Sequence, residues 1–577
     1  MQGPFQPFRA RMAMHPVVER YLNKPWKFAA LGAFLLWGAF PPLGWFWLAP
    51  LAILPLLGLV TLPAPLTRRD YVQIWLAGCG LWLALLQGIR LAYWPLYLGW
   101  IALACYVAVY LPLFVYLARL AYHRYKVPLV GGVVVSWIGL ELFRGYFATG
   151  FSTCLLAHTQ AKVPLVLQIA SQLGSYGVSA WVLATALAIY HLIDPAPMRK
   201  DRWISLGMAL AYSIFGLGYG YFELRRTPDN LAENAMLRVG LVQENTPSQF
   251  EMAPNPERNE QHWFAYLYQT EAAYRKFGEV DIWVWPESVF TRNEPTLSLE
   301  TDTEVPPEWS GIFPSIEQLQ RAERVFNLEN RNKAAKVFSV TGHTEESKGT
   351  KCLLVGSDFV RCTADRVIRH NAMICFDSSS QVQAVYSKRH RVMFGEYLPL
   401  ADWFPFINSM VGIAPLSAGD RAIAFEHKGL LIAPSICFEN TLPHYMRRQF
   451  TEIASQTRAP DLMVNVTNDS WFRGSSILDH HLASGILASV ENRRPLLIAG
   501  NTGLSAWIDG SGRVVEVTPR LTAASILATP VRDTRSGLWT VIGDLPARLC
   551  TLACGALLIA TWIQHRTNKA SHDKKHP

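Results

Sequence analysis

What this sequence lacks narrows it first. Its nine cysteines form no CxxC pair and no Cys/His cluster of zinc spacing, which argues against a structural metal site. Charge is sparse across long stretches of residues 28–225. With half of its 577 residues hydrophobic and a mean hydropathy of +0.14, the chain is not one ordinary soluble domain. A formal net charge of +9 would suit nucleic acid. Much of that basic excess, however, lies in short loops between apolar runs, where it reports membrane topology, so nucleic-acid binding is discounted.

What is there begins with eight apolar runs, at about 28–40, 45–60, 71–91, 96–117, 127–143, 163–193, 203–221 and 545–564. The first two are short for a full crossing and are expected to tilt or to lie as a helical pair. The basic leader, residues 1–27 with Arg9, Arg11, Arg20, Lys24 and Lys27, resembles the start of a signal peptide. Because further spans follow, it reads as a cytoplasmic leader before an uncleaved helix. Arg68 and Arg69, then Arg119, Arg124 and Lys126, then Arg199, Lys200 and Arg202 occupy every second loop. They share a side with the leader and with the tail, 565–577. The positive-inside rule then puts both termini in the cytoplasm, and residues 236–535 in the periplasm of a bacterium. Glu141 and Arg144, three residues apart near the end of the fifth run, can pair with each other as a helix-end anchor or form a polar patch near lipid headgroups.

Residues 236–535 read as an α/β unit. MLRVGLVQENTP is a strand ending at Gln243, a helix is expected over 255–277, and DIWVWPESVF is a second strand stopping at Pro286-Glu287. Residues 300–336 look like a polar insertion around one helix. Further strands are expected near 337–341, 351–355, 371–376, 382–386, 422–425, 430–436, 462–467, 496–499 and 505–508. This mixture argues for a mixed α/β sandwich. Cys352 and Cys362 flank LLVGSDFVR and could face each other across two paired strands, as a disulfide if this segment meets an oxidising compartment.

Three stretches place a reactive side chain just beyond an apolar strand: Glu287 after IWVWP, Lys388 after VYS and Cys437 after IAPSI. Singly, each has an ordinary reading: a helix cap, a solvated lysine, a packed thiol. Strand ends on one edge of a sheet can converge, and the chemistry wants this trio. A cysteine of ordinary pKa is mostly thiol near neutrality and needs a base, which a carboxylate can be. An ammonium and a backbone N–H can hold the oxyanion of a tetrahedral intermediate.

Together these stretches resemble the nitrilase (carbon–nitrogen hydrolase) superfamily. YSKRHRVMFGEYLPL, SICFEN, TNDSWF and NTGLSAWIDGSG narrow the likeness to the apolipoprotein N-acyltransferases. The resemblance implies a polytopic helical membrane domain of about eight spans plus a four-layer αββα nitrilase-like sandwich, inserted before the last span. It implies Glu287 as general base, Lys388 as oxyanion stabiliser and Cys437 as the acylated nucleophile. Glu396 would support the lysine, and Phe438 would complete the oxyanion hole beside Glu439. The expected reaction is ping-pong transfer of an acyl chain from a phospholipid to the α-amine of a diacylglyceryl-cysteine lipoprotein, by a monomer without metal or cofactor, among membrane lipids. Trp403, Phe404, Phe406 and Met410 offer apolar surface for an acyl chain or the bilayer interface, or for packing within the domain. Departures from the family pattern include LDHHLASGILASVENRRP, Arg473 in SWFRG, Met252, and GFSTCLLAH without its tryptophan. These bear on substrate preference. The rivals are a membrane-anchored amidase for a small amide, and a scaffold or transporter without chemistry.

Overall fold

The computed structural model describes residues 24–194, 199–229, 232–247, 255–290, 294–300, 304–342, 349, 351–398 and 415–573. Each of the eight apolar runs is helical. The helices are Pro25–Ala39, Leu48–Thr61, Arg68–Leu85, Leu96–Arg124, one starting at Leu129, Ala170–Ile193, Lys200–Arg225 and Leu545–Asp573. Five of these, from Leu96–Arg124 onward, are long and apolar enough to cross a membrane on length and composition; Leu48–Thr61 is a shorter apolar helix. Local signals set the ends. Thr67 and Asp70 form a capping box that starts Arg68–Leu85. Arg119 donates to the carbonyls of Leu59, Leu62 and Ala64, satisfying the open end of Leu48–Thr61.

The sixth run departs from a single span. A short helix, Pro164–Leu167, comes first, and Ala170–Ile193 breaks at Gly174, where φ is +65°. The Trp539 ring lies against that glycine, and a Cβ there would come within 2.5 Å of it. Glu141 and Arg144 also differ from expectation, because among the described residues no ion pair joins them. Glu141 accepts from Trp137 Nε1 and the Leu156 N–H, while Arg144 lies over the Trp82 ring and faces the carbonyls of Thr153 and Cys154. The loop after their helix supplies enough backbone partners to take each separately.

Thirteen strands follow in chain order: β1 Val239–Gln243, β2 Ile282–Trp285, β3 Thr296–Leu299, β4 Cys352–Cys362, β5 Val367–Asp377, β6 Val382–Ser387, β7 Phe425–His427, β8 Leu430–Ile436, β9 Leu462–Thr467, β10 Leu496–Gly500, β11 Ala506–Ile508, β12 Val514–Val517 and β13 Ala524–Ala528. One sheet runs β13-β1-β2-β4-β5-β6, with β3 on β4; the other runs β12-β11-β10-β9-β8-β7. The centres, β1-β2-β4 and β8-β9-β10, are parallel and apolar on both faces, as strands covered on both sides must be. Between the sheets pack Leu241, Val284, Leu354, Ile432, Val464 and Leu497. Helices Pro256–Phe277 and Ile316–Val340 cover the outside of the first sheet. The outside of the second sheet carries Ala433, Met463 and Ile498. It shares one core with helices Pro443–Gln456 and Ile477–Asn492 and with the membrane helices.

Three sequence expectations fail here. The strand expected at 422–425 instead spans Phe425–His427, because the tight turn at Lys428-Gly429, both at positive φ, sets Phe425 opposite Ile432. Residues 337–341 are no strand: Val337 and Phe338 are buried in the last turns of Ile316–Val340, with Ala334 one turn earlier. A β-branched apolar end to an amphipathic helix imitates a short strand. Cys352 and Cys362 do not face each other, because they stand at opposite ends of β4, about 33 Å apart for ten residues of extended chain. Cys352 Sγ lies 3.1 Å from Cys375 Sγ on β5 instead. Peptide mapping of the non-reduced protein is expected to yield no Cys352–Cys362 linked pair; finding one would contradict the continuous β4.

Candidate active site

Strand direction brings the reactive residues to one edge. Because β5 is antiparallel to both β4 and β6, β6 runs the same way as β2. Glu287 and Lys388 therefore leave the first sheet on the same side. Cys437 and Asn468 leave the parallel strands β8 and β9 of the second sheet. The sheets meet there: the Asn468 N–H donates to Glu287 Oε2 at 2.8 Å.

Lys388 is buried between two carboxylates, with Nζ 2.8 Å from Glu396 Oε1 and 3.6 Å from Glu287 Oε1. Asn371, inside β5, donates its amide to both, at 2.6 Å to Glu287 and 3.1 Å to Glu396. Glu396 Oε2 accepts from the Val392 N–H at 2.8 Å. Burial alone would lower the Lys388 ammonium, but Glu396 and Glu287 outweigh it and hold it above the usual lysine value. Burial would raise the Glu396 carboxyl, but Lys388 beside it and its hydrogen bonds hold it below the usual carboxylate range.

Cys437 ends β8 with φ at +50°, in the left-handed region. Its half-buried thiol feels the charges of both Glu287 and Lys388. Shelter from water and the Glu287 charge push the thiol well above its ordinary value, against the pull of Lys388. The resting sulfur therefore favours its protonated form. Glu439 fixes the turn to the lysine loop. Its Oε1 accepts from the N–H groups of Arg389 and His390 and from the Tyr445 hydroxyl, and its Oε2 from the Tyr386 hydroxyl and the Ile436 N–H. Burial still raises its carboxyl above the usual range. Phe438 packs into the core shared with the membrane helices, beside the His390 ring.

The structure thus brings together Glu287, Lys388, Glu396, Cys437, Phe438 and Glu439. Trp403, Phe404, Phe406 and Met410, like Met252, lie outside the described residues. Asn371 and Asn468 were missed as partners of Glu287. An asparagine amid the apolar residues of a strand, HNAMIC, was the available signal, since asparagine is depleted in strands.

The sign of the pH dependence follows from these shifts. Stability stored in the lowered Glu396 carboxyl is present above the ordinary carboxylate pKa and is lost as pH falls through its lowered one. Lys388→Met reverses the trend by leaving two carboxylates without a cation. Its unfolding is expected to cost about 3–5 kcal/mol less than wild type at neutral pH. Part of that deficit should return as pH falls below neutrality and the stranded Glu396 carboxylate takes up a proton. Thermal unfolding in detergent across that range measures both, and a wild-type-like profile would contradict the buried charge cluster.

The family description "Carbon-nitrogen hydrolase" matches residues 238–535, and "Apolipoprotein N-acyltransferase N-terminal domain" matches residues 32–188. An apolipoprotein N-acyltransferase of Rhodopirellula baltica is 29% identical over 94% of this chain and 99% of its own. Namesakes from Geobacter metallireducens and Haemophilus influenzae are 27% and 26% identical, over 79% and 77% of this chain and 78% and 76% of theirs. The chain belongs to the carbon–nitrogen hydrolase family, with the N-terminal domain of the apolipoprotein N-acyltransferases ahead of its hydrolase domain.

Proposed function

We propose that this protein is a phospholipid:apolipoprotein N-acyltransferase whose nucleophile is Cys437. The carrying observation is that the carboxylate–ammonium–thiol group stands at a turn, Cys437–Thr441, whose Phe438 packs into the core of the membrane helices. Substrates whose acyl chains stay in the bilayer need a site built against it.

Glu287 takes the thiol proton as Cys437 Sγ attacks the ester carbonyl of a phospholipid. Lys388 and the Phe438 N–H hold the oxyanion. As the tetrahedral intermediate collapses, the C–O bond breaks and Glu287 returns the proton to the leaving lysophospholipid oxygen, leaving a thioester on Cys437. The α-amine of a diacylglyceryl-cysteine then attacks the thioester and gives its proton to Glu287. The C–S bond breaks as Glu287 passes that proton to the departing sulfur, and an amide and the free thiol result. Glu396 and Asn371 keep the lysine charged and the base oriented throughout. Catalysis on the periplasmic face, with both termini cytoplasmic, is the orientation that the loop charges support. The domain division, 28–225 and 545–564 around 236–535, follows the same reading.

Incubation with phospholipid is expected to give an acylated Cys437 by mass spectrometry, with release of lysophospholipid. Cys437→Ala should give no adduct at that position. Glu287→Gln should slow acylation by about 10²–10⁴-fold while phospholipid binding survives. Rapid hydrolysis of a soluble amide without any lipid adduct would favour the amidase instead, and acyl transfer by Cys437→Ala would defeat the mechanism.

A further inference from the structure

Beside the proposed nucleophile lies a buried pair to which the mechanism above gives no part. His481, on helix Ile477–Asn492, and Asp469, just after β9, are both buried. His481 Nδ1 is 2.9 Å from Asp469 Oδ2, and Nε2 is 3.0 Å from the carbonyl oxygen of Cys437. A carboxylate and a carbonyl oxygen can only accept hydrogen bonds. A neutral imidazole carries one N–H and would serve one of them, whereas the imidazolium serves both. The surroundings agree: burial would lower the His481 pKa, but Asp469, the Cys437 carbonyl and Glu287 outweigh it and raise it.

Two consequences fall on Cys437. Its carbonyl is held by His481 and, at 3.4 Å, by Asn465 Nδ2, in a residue whose backbone occupies the left-handed region. The carbonyl of Cys437 and the N–H of Phe438 lie in one peptide plane, so fixing the oxygen also fixes the direction of that N–H. The second consequence is electrostatic. Asp469 is one of the charges that oppose ionisation of the thiol, and a cation bonded to it cancels that effect.

We propose that His481, held as an imidazolium by Asp469, is a positioning residue for Cys437: it aims the Phe438 N–H at the oxyanion and screens the thiol from the Asp469 charge. This rests on the reading of Cys437 as nucleophile and adds a pair that the Glu–Lys–Cys group does not include.

Two rates in the full-length, detergent-solubilised protein test it. One is alkylation of Cys437 by iodoacetamide, followed by peptide mass spectrometry without any lipid. The other is acyl-enzyme formation from phospholipid in a single turnover. His481→Ala is expected to slow alkylation by about tenfold, as the bare aspartate lowers the thiolate fraction. It should slow acylation further, by about a hundredfold, because the oxyanion donor is also released, with little change in KM. Adding Asp469→Asn should return alkylation toward the wild-type rate while acylation stays slow. Wild-type rates in His481→Ala, or still slower alkylation in the double variant, would overturn the proposal. Should the alanine variant not fold, His481→Gln carries the same comparison. A wild-type protein that alkylates but takes no acyl group from phospholipid would sink the acyl-transfer reading, while the alkylation series still decides this one.

Discussion

Lys388 carries its charge where water does not reach it, and can do so because Glu287 and Glu396 stand on either side and Asn371 bonds to both carboxylates. An isolated buried ammonium would shed its proton, and an isolated buried carboxylate would take one up. Held together, Lys388 is kept above the usual lysine value and Glu396 below the usual carboxylate range, so a buried cation persists between the two side chains. The cost of that arrangement is met by geometry: any shift of one member exposes the other two to the desolvation penalty. This is why the cluster is assembled from strand ends and turns that neighbouring backbone groups fix, rather than from free loops.

The same logic governs the turn that bears the thiol. Glu439 accepts five hydrogen bonds, three of them from backbone N–H groups, and these tie the end of β8 to the segment carrying Lys388. Cys437 and Lys388 therefore share one anchor although they leave different sheets. Phe438, next to the thiol, faces the other way, into the membrane-side core. One short turn thus joins the polar interior of the sandwich to the apolar bundle.

The sequence read well where a single physical signal dominated. Each of the eight apolar runs is helical, the sixth in two pieces, and Leu462–Thr467 and the neighbouring β8 and β10 stood out because parallel strands buried on both faces are near-continuous apolar runs. That Glu287, Lys388 and Cys437 come together was legible from their position after such strands. What escaped were features set by the partner rather than the residue. Residues 337–341 look like a strand until the helix before them is seen to press the same side chains on the first sheet. Cys352 and Cys362 were expected to face each other across two paired strands because nothing in the intervening residues announces an eleven-residue strand without a break. The contacts of Asn371 and His481 depend on which side chains fold in from other strands and helices, and no local pattern records that.

The outer face of the second sheet has a consequence for how this chain can be divided. Ala433, Met463, Ile498 and the flanking helices have their apolar complement in the bundle, and Trp539 fills the opening at Gly174. A fragment spanning 236–535 alone would carry that greasy side uncovered, so severed from its anchor it would self-associate in water instead of behaving as a free-standing enzyme.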